Sequence, residues 1–348
     1  GNEISVYRHG DRSPLSTYPT DPHKAAAWPH GFQQLSEVGI LQQKALGKFL
    51  RERYAGFLSP SYKPQEIYVR STDYDRTIMS AQANLMGLYP NSHPEIPWKP
   101  VPIHTVPAKY DKVREHNLYS FMEKMANYTG LKSEQLTLRG LWKVYDTLFC
   151  QKTHNMTLPS WATAQVLATL SEIEVFNIEA HVGMHAAQEK ARFIGGLLLD
   201  AILSNFSKMV CQDLPLKMII YSAHDSTLIA LQAALGVYNG HLPPYAACHG
   251  FEFYQEKPEP LQGFSFSVAM FYRNRSDQRP YILPLPGCPT PCPLPLFIHL
   301  TRTAILKDWD AECQNPQSGP GRAVIALAAA VGVLSVTLLG MGVLYWRR

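Results

Sequence analysis

The chain has 348 residues, enough for one or two domains with full cores. Apolar residues make up 46% of it, which excludes a disordered chain, and 32 basic against 28 acidic residues is too slight a surplus to indicate nucleic acid. Charged residues are only 17%, against roughly 25% in an ordinary soluble domain, so some part of the chain dilutes charge.

Gly1-Asn2-Glu3 leads directly into a strand-like run, Ile4-Ser5-Val6-Tyr7, and reads as a mature or truncated N-terminus. Ser36 to Tyr54 predicts a helix with Ser36 as N-cap and Val38, Leu41, Ala45 and Phe49 on its apolar side. Ile67-Tyr68-Val69 predicts a second strand, followed by a helix from Tyr74 to Leu88 that Pro90 stops. Residues 91–107 are Pro-rich loop. From Tyr110 to Phe176 the patterns are helical, broken at Pro159, and Ala186 to Met209 is a long amphipathic helix carrying Leu197, Leu198, Ala201 and Ile202. Lys217 to Ser222 is an apolar strand, Ser226 to Leu235 a helix, and Phe264 to Tyr272 alternates like a later strand. Strand then helix, repeated around a helical block, predicts an α/β fold with a mostly helical insertion.

Ala323 to Trp346 contains 24 residues without one charge. As a helix it would span about 36 Å, enough to cross a hydrocarbon core of ~30 Å. Tyr345 and Trp346 fall where an interfacial aromatic belt lies, and Arg347-Arg348 suits a cytoplasmic end. Residues 314–322 read as a polar linker. The sequons at Asn127, Asn155, Asn205 and Asn274, with six Cys, favour a secretory lumen or the cell exterior for the rest. The expectation is a single-pass type I membrane protein in contact with lipid through residues 323–346.

In open α/β sheets ligands bind beyond the carboxyl ends of the strands. Three polar clusters fall there: Tyr7-Arg8-His9-Gly10-Asp11-Arg12-Ser13-Pro14, Arg70-Ser71-Thr72-Asp73-Tyr74-Asp75-Arg76-Thr77, and Ser222-Ala223-His224-Asp225-Ser226-Thr227. Guanidinium forks bind phosphate oxygens in pairs, and Arg76 and the 224–227 turn precede or open helices whose N-termini favour anions. A His among several Arg keeps its neutral, nucleophilic form. His181 and His185 have metal-ligand spacing on a helix, but Gly183 weakens that helix and no third ligand is evident, so no metal or cofactor is expected.

Arg8-His9-Gly10-Asp11-Arg12-Ser13-Pro14 together with His224-Asp225 resembles the histidine acid phosphatases of the phosphoglycerate-mutase-like superfamily. The resemblance runs from Val6 to Cys313 and includes Pro19-Thr-Asp-Pro22, His104-Thr-Val-Pro107, Leu158-Pro-Ser-Trp-Ala162, Pro244-Tyr-Ala-Ala-Cys248 and Leu285-Pro-Gly-Cys288. That combination is similar to the prostatic, lysosomal and testicular group, and Glu179-Ala-His-Val-Gly183 and Leu214-Pro-Leu-Lys-Met218 resemble its testicular type.

The resemblance implies a mixed sheet flanked by helices, with a catalytic domain of residues 1–107 and 186–313 and a smaller helical cap of residues 108–185. It implies phosphomonoester hydrolysis with His9 as the nucleophile, Asp225 as the proton donor to the leaving alcohol, and Arg8, Arg12, Arg76 and His224 as phosphate ligands. Trp142 matches a segment that forms an aromatic wall of the pocket. Bridges Cys150–Cys248 and Cys288–Cys292 carry over, while Cys313 lacks its usual partner and Cys211 is an extra. Phosphotyrosyl protein is one open substrate class, and the group is commonly dimeric. The insertion is shorter than the family's by roughly thirty residues between Pro107 and Asn127, which motivates an alternative: a catalytically impaired interaction protein on the same fold. A mutase or phytase-like relative is a third reading.

Overall fold

The structure, a computed structural model, describes residues 2–90, 100–105, 122–135, 137–182, 187–211, 215–255 and 265–305. The chain's first strand, β1 (Asn2–Arg8), is followed by α1 (Glu37–Arg53), β2 (Ile67–Ser71) and α2 (Asp75–Leu88). The insertion supplies α3 (Met122–Thr129), α4 (Leu138–Thr153) and α5 (Ala164–Val182). Then come α6 (Ala187–Cys211), β3 (Met218–Ala223), α7 (Asp225–Ala234), β4 (Cys248–Gln255) and β5 (Phe266–Arg273). Two short strands, β6 (Tyr281–Ile282) and β7 (Cys292–Pro293), and α8 (Leu294–Thr301) complete the described part.

The sheet is mixed, in the order β2-β3-β1-β4-β5-β6, with β7 paired to β5. β2, β3 and β1 run parallel, and β4 and β5 run antiparallel. β1 and β3 are buried along almost their whole length, as expected of strands covered on both faces. One core layer lies against α6, α7 and α8 and includes Ile4, Val6, Ile202, Phe206, Leu228, Phe251 and Phe253; Phe206 stacks on Phe253 with centroids 3.9 Å apart. The other lies against α1 and α2 and includes Tyr7, Leu46, Leu50, Leu85, Leu88 and Ile220. Each such side chain, fully buried, contributes about 1.5–3 kcal/mol.

α1 is capped as expected, with the Ser36 hydroxyl accepting from the Gly39 amide, but its inward face differs from the expected one. Gly39, Gln43, Leu46, Gly47 and Leu50 are buried, whereas Val38 and Leu41 are exposed. The reason is backbone contact with α2. A Cβ on Gly47 would lie 1.9 Å from the Asn84 carbonyl oxygen, and one on Gly87 would lie 2.1 Å from that of Lys44. Glycine in these places lets two helices touch, and an apolar-stripe reading does not register it.

Helices α3, α4 and α5 gather around a small core of Met125, Leu141, Val144, Leu148 and Leu170. Tyr18, from the loop after β1, inserts into that core and ties the loop to the insertion. The tie continues in hydrogen bonds from the Gln151 amide to Asp21 (2.9 Å) and from the Thr147 hydroxyl to the Ser16 carbonyl (2.9 Å).

The Cys288–Cys292 bridge is formed. The expected Cys150–Cys248 bridge is not: both are buried free thiols. Cys150 lies on α4 beside Arg12, and Cys248 opens β4 in the core layer with Tyr7, so the two sulfurs sit in different packing environments. Residues 314–348, Cys313 and the side chains of Cys211, His181 and His185 lie outside what the structure describes. Among the described residues, no helix is long and apolar enough to cross a membrane.

Candidate active site

The parallel strands end together: Tyr7 pairs with Ser222, Arg8 with Ala223, and Ser71 with Ser222. β4 runs the other way and begins opposite Tyr7, so the loop that precedes it arrives at the same edge. There the Arg8 amide donates to the Ala247 carbonyl (3.0 Å) and the Ala246 amide to the His9 carbonyl (3.1 Å). Just beyond β1 the chain presses on the start of α1. A Cβ on Gly10 would meet the Gly39 carbonyl oxygen at 2.4 Å, so the residue after His9 has to be glycine.

His9 is buried, and its Nδ1 lies 2.8 Å from the Gly10 carbonyl oxygen. A carbonyl only accepts, so this contact selects the Nδ1–H tautomer and leaves the lone pair on Nε2. Burial, reinforced by Arg8, Arg12, His224 and Arg76, holds the imidazole well below its ordinary pKa, hence neutral. Arg8 donates through Nη1 to the Pro243 carbonyl (2.6 Å), pairs through Nη2 with Asp225 (2.7 Å), and lies 4.2 Å over the Tyr245 ring. Arg12 makes a two-pronged pair with Asp146 on α4 at 3.0 and 3.1 Å, and Asp146 also accepts from the Leu15 amide (2.9 Å). Arg76, in the first turn of α2, lies 4.8 Å from the Tyr74 ring and has no carboxylate partner among the described residues. Burial and the nearby Arg12 push its pKa down to about 10, against the pull of Asp225.

His224 caps α7, with its ring 5.5 Å from that of His9. Its Nε2 lies 2.9 Å from the Thr72 hydroxyl, which donates onward to Thr77. Thr72 therefore accepts from His224, and Nε2 carries the proton. Burial and Arg76 hold this imidazole below its ordinary value. Asp225 opens α7; burial would raise its carboxyl, but Arg8, His224 and the Ser226 amide outweigh it, so the resting group is ionised.

Every residue expected to carry chemistry is therefore brought to one place. Trp142, half-buried on α4, favours the carboxylate of Glu174 on α5, but burial outweighs it and pushes that carboxyl up to about 7. Asp146, Glu174, Tyr245 and Thr72 also belong to the site; the sequence motifs include Thr72 and Tyr245 but assign them no role, and Asp146 and Glu174 were not singled out from sequence. The signal for the two acids was an acidic residue set within an apolar helical face, at Val144-Tyr145-Asp146-Thr147-Leu148 and four residues after the core Leu170. No group of potential metal ligands occurs among the described residues.

A family model described as the histidine phosphatase superfamily (branch 2) matches residues 4–118 and 104–282. The chain belongs to this superfamily. It is 50% identical to the testicular acid phosphatase of Mus musculus, in an alignment covering 98% of the chain and 89% of that protein. It is 46% identical to the lysosomal acid phosphatase of Homo sapiens, covering 94% and 82% respectively. The mouse alignment spans 378 positions, 30 more than the chain's 348 residues, so at least that many positions of the relative find no residue here. Among solved structures, the apo phytase of Hafnia alvei superposes with a TM-score of 0.61 at 17% identity, covering 88% of this chain and 96% of that one, which is a likeness of fold.

Proposed function

We propose that the chain is an acid phosphatase that hydrolyses phosphate monoesters through a phosphohistidine on His9, with Asp225 as general acid. One observation carries this reading: Arg8, Arg12 and Arg76 surround a neutral His9, and each has a buried Nε–H that no atom of the described residues satisfies. Buried unsatisfied cationic donors are costly, and a phosphate dianion satisfies them.

In the first step the Nε2 lone pair of His9 attacks phosphorus, and the bond from phosphorus to the leaving oxygen breaks. Asp225 gives its proton to that oxygen, and the arginines offset the charge on the equatorial oxygens. In the second step water attacks phosphorus, returns a proton to Asp225, and releases His9 and phosphate. Resting Asp225 is a carboxylate held by Arg8. A phosphate on Arg8 competes for that guanidinium and adds negative charge beside Asp225, and both effects raise its pKa toward the protonated form that the first step needs.

Residues 323–346 anchor the enzyme in a bilayer, with the catalytic part lumenal or extracellular. Asn127 and Asn155 are exposed and suited to glycans, whereas the Asn205 amide donates to the Tyr221 hydroxyl (2.8 Å). Small phosphomonoesters and phosphotyrosyl proteins are the substrates that suit this site, and a homodimer is the assembly that suits the family.

The test is turnover of p-nitrophenyl phosphate by the parent chain, His9→Ala and Asp225→Asn from about pH 4 to about pH 7.5. His9→Ala abolishes turnover and the acid-labile phosphoenzyme. Asp225→Asn slows alkyl phosphates more than aryl phosphates, whose leaving groups need less protonation. A folded, glycosylated parent chain without hydrolysis anywhere in that range would establish the impaired interaction protein instead.

A further inference from the structure

Six charged side chains crowd the site, and their ion pairs do not match up completely. Arg8 is paired with Asp225 and Arg12 with Asp146. Arg76 and Glu174 are left, neither with an ion-pair partner among the described residues. Glu174 lies on α5, which packs against α4, α6 and α7. It is only 8% exposed, and the Trp142 indole of α4 is the polar group that favours its carboxylate. The charges that act on its carboxyl are Arg8 at the end of β1, Asp225 on α7 and Asp146 on α4, and Glu174 in turn acts on Tyr145 of α4. None of the steps assigned to His9 and Asp225 uses it.

We propose that Glu174 controls anion binding at the phosphate site: as an uncharged acid it admits the dianion, and as a carboxylate it opposes it. This rests on the phosphatase reading. With Glu174 uncharged, three arginines face two carboxylates and the cluster is net positive. With Glu174 ionised, the charges cancel before any substrate arrives. Low local dielectric makes that one charge count for more than it would in water. Burial, with help from Asp225 and Asp146, pushes the Glu174 carboxyl up to about 7, against the opposing pull of Arg8 and the Trp142 indole. A bound dianion raises it further, so above that value binding is accompanied by uptake of a proton onto Glu174. By linkage the affinity falls as pH rises, by up to about tenfold per pH unit. Asp225 and Asp146 are poorly placed for this role, because each is held by an arginine fork. The gate thus belongs to the helical insertion and not to the strand ends that hold the catalytic set.

The experiment measures Ki for inorganic phosphate against p-nitrophenyl phosphate hydrolysis, using the full chain and Glu174→Gln. Gln keeps the shape and an acceptor oxygen and never ionises. The ratio of the two Ki values at each pH cancels the ionisation of phosphate itself. The expected ratio is near one at about pH 5, and near pH 8 the variant binds phosphate about tenfold more tightly than the parent. A ratio that stays constant in an active parent overturns the role of Glu174 alone. A parent that neither hydrolyses the ester nor binds phosphate overturns the phosphatase reading with it. Trp142→Phe provides a second readout if Glu174→Gln does not fold. Loss of the indole donor disfavours the carboxylate, so the decline in phosphate affinity moves to higher pH, and an unmoved or downward-shifted decline refutes the proposal.

Discussion

Replacing Asp146 by Asn asks whether the insertion holds the catalytic loop by charge. Asp146 takes both prongs of Arg12 and the Leu15 amide, and both side chains of the ion pair are more than nine-tenths buried. Burial alone would make Arg12 easier to deprotonate, yet Asp146 raises its pKa above the ordinary value, so the pair is strongly coupled. Removing one partner of a buried pair costs about 3–5 kcal/mol, mostly because the other charge is left uncompensated. Asn retains one acceptor oxygen, which places the loss near 3 kcal/mol. A unit of roughly 300 residues unfolds with an entropy near 0.6 kcal/mol/K, so Tm should fall by about 5 °C. Thermal unfolding followed by circular dichroism, with parent and variant at one pH, reads this directly. Saturating inorganic phosphate supplies an anion close to Arg12 and should narrow the gap between the two proteins. A fall below about 1 °C, or a gap that phosphate leaves unchanged, would refute the argument that Arg12 depends on Asp146 for its charge balance.

Gly47→Ala should destabilise by about 3 kcal/mol or more, because the new methyl meets the Asn84 carbonyl oxygen and neither helix can yield without repacking; a urea midpoint equal to the parent's would contradict the close contact. Glu66 accepts from the Ser59 amide and hydroxyl and from Lys217, and these outweigh burial and pull its carboxyl down to about 2. Its folded value lies below its unfolded one, so its contribution is complete above about pH 4.5 and is lost as pH falls toward 2; Glu66→Gln should lower stability at neutral pH and flatten the acid unfolding curve across that window. The His224 imidazole is likewise depressed, first by burial and then by Arg76, so its stabilising contribution fades as pH drops below its ordinary 6.5. Its ring-proton NMR signal should titrate below that value and move upward when phosphate binds, and an unperturbed midpoint would count against a buried site beside three arginines.

The strand ends were legible because a parallel α/β pattern dictates where ligands sit, and each of three predicted strands ran straight into Arg, His or Asp. Ser36 as a cap and Pro90 as a stop were equally local signals, and α1 and α2 confirm both. The α1 face was not legible, since Gly39 and Gly47 are buried by backbone contact and have no side chain to mark it. Strand β4 escaped because Cys-His-Gly-Phe-Glu-Phe mixes polar residues into a run whose first four positions are all buried. Missing β4 meant missing its loop, and with it the platform that Tyr245 offers to Arg8. Asp146 and Glu174 were out of reach for a different reason. An acid within an apolar helical face marks each of them, but their roles depend on how two helices of the insertion pack against the sheet edge, which no spacing within either helix encodes.

That packing divides the site by charge. The α/β part contributes the cations, with Arg8 and Arg12 after β1 and Arg76 at the start of α2, and one carboxylate, Asp225. The insertion contributes Asp146 from α4 and Glu174 from α5, both turned toward those cations. Three guanidinium groups brought together without these acids would repel one another and resist burial, so the sheet edge alone could not keep an anion site assembled while empty. Two firmly paired arginines and one with no carboxylate partner among the described residues solve this: the pairs hold the geometry, and with Glu174 uncharged Arg76 keeps the net charge positive for an arriving phosphate. The at least 30 positions by which the chain falls short of its mouse relative therefore matter less than where they fall. We propose that they fall between Pro107 and Asn127, and a gap there leaves α4 and α5 in place, with both acids. On this argument a shorter insertion changes the walls around the leaving group while the phosphate end keeps its charge balance, so its effect should appear in KM across a panel of esters and leave Ki for inorganic phosphate close to that of full-length relatives.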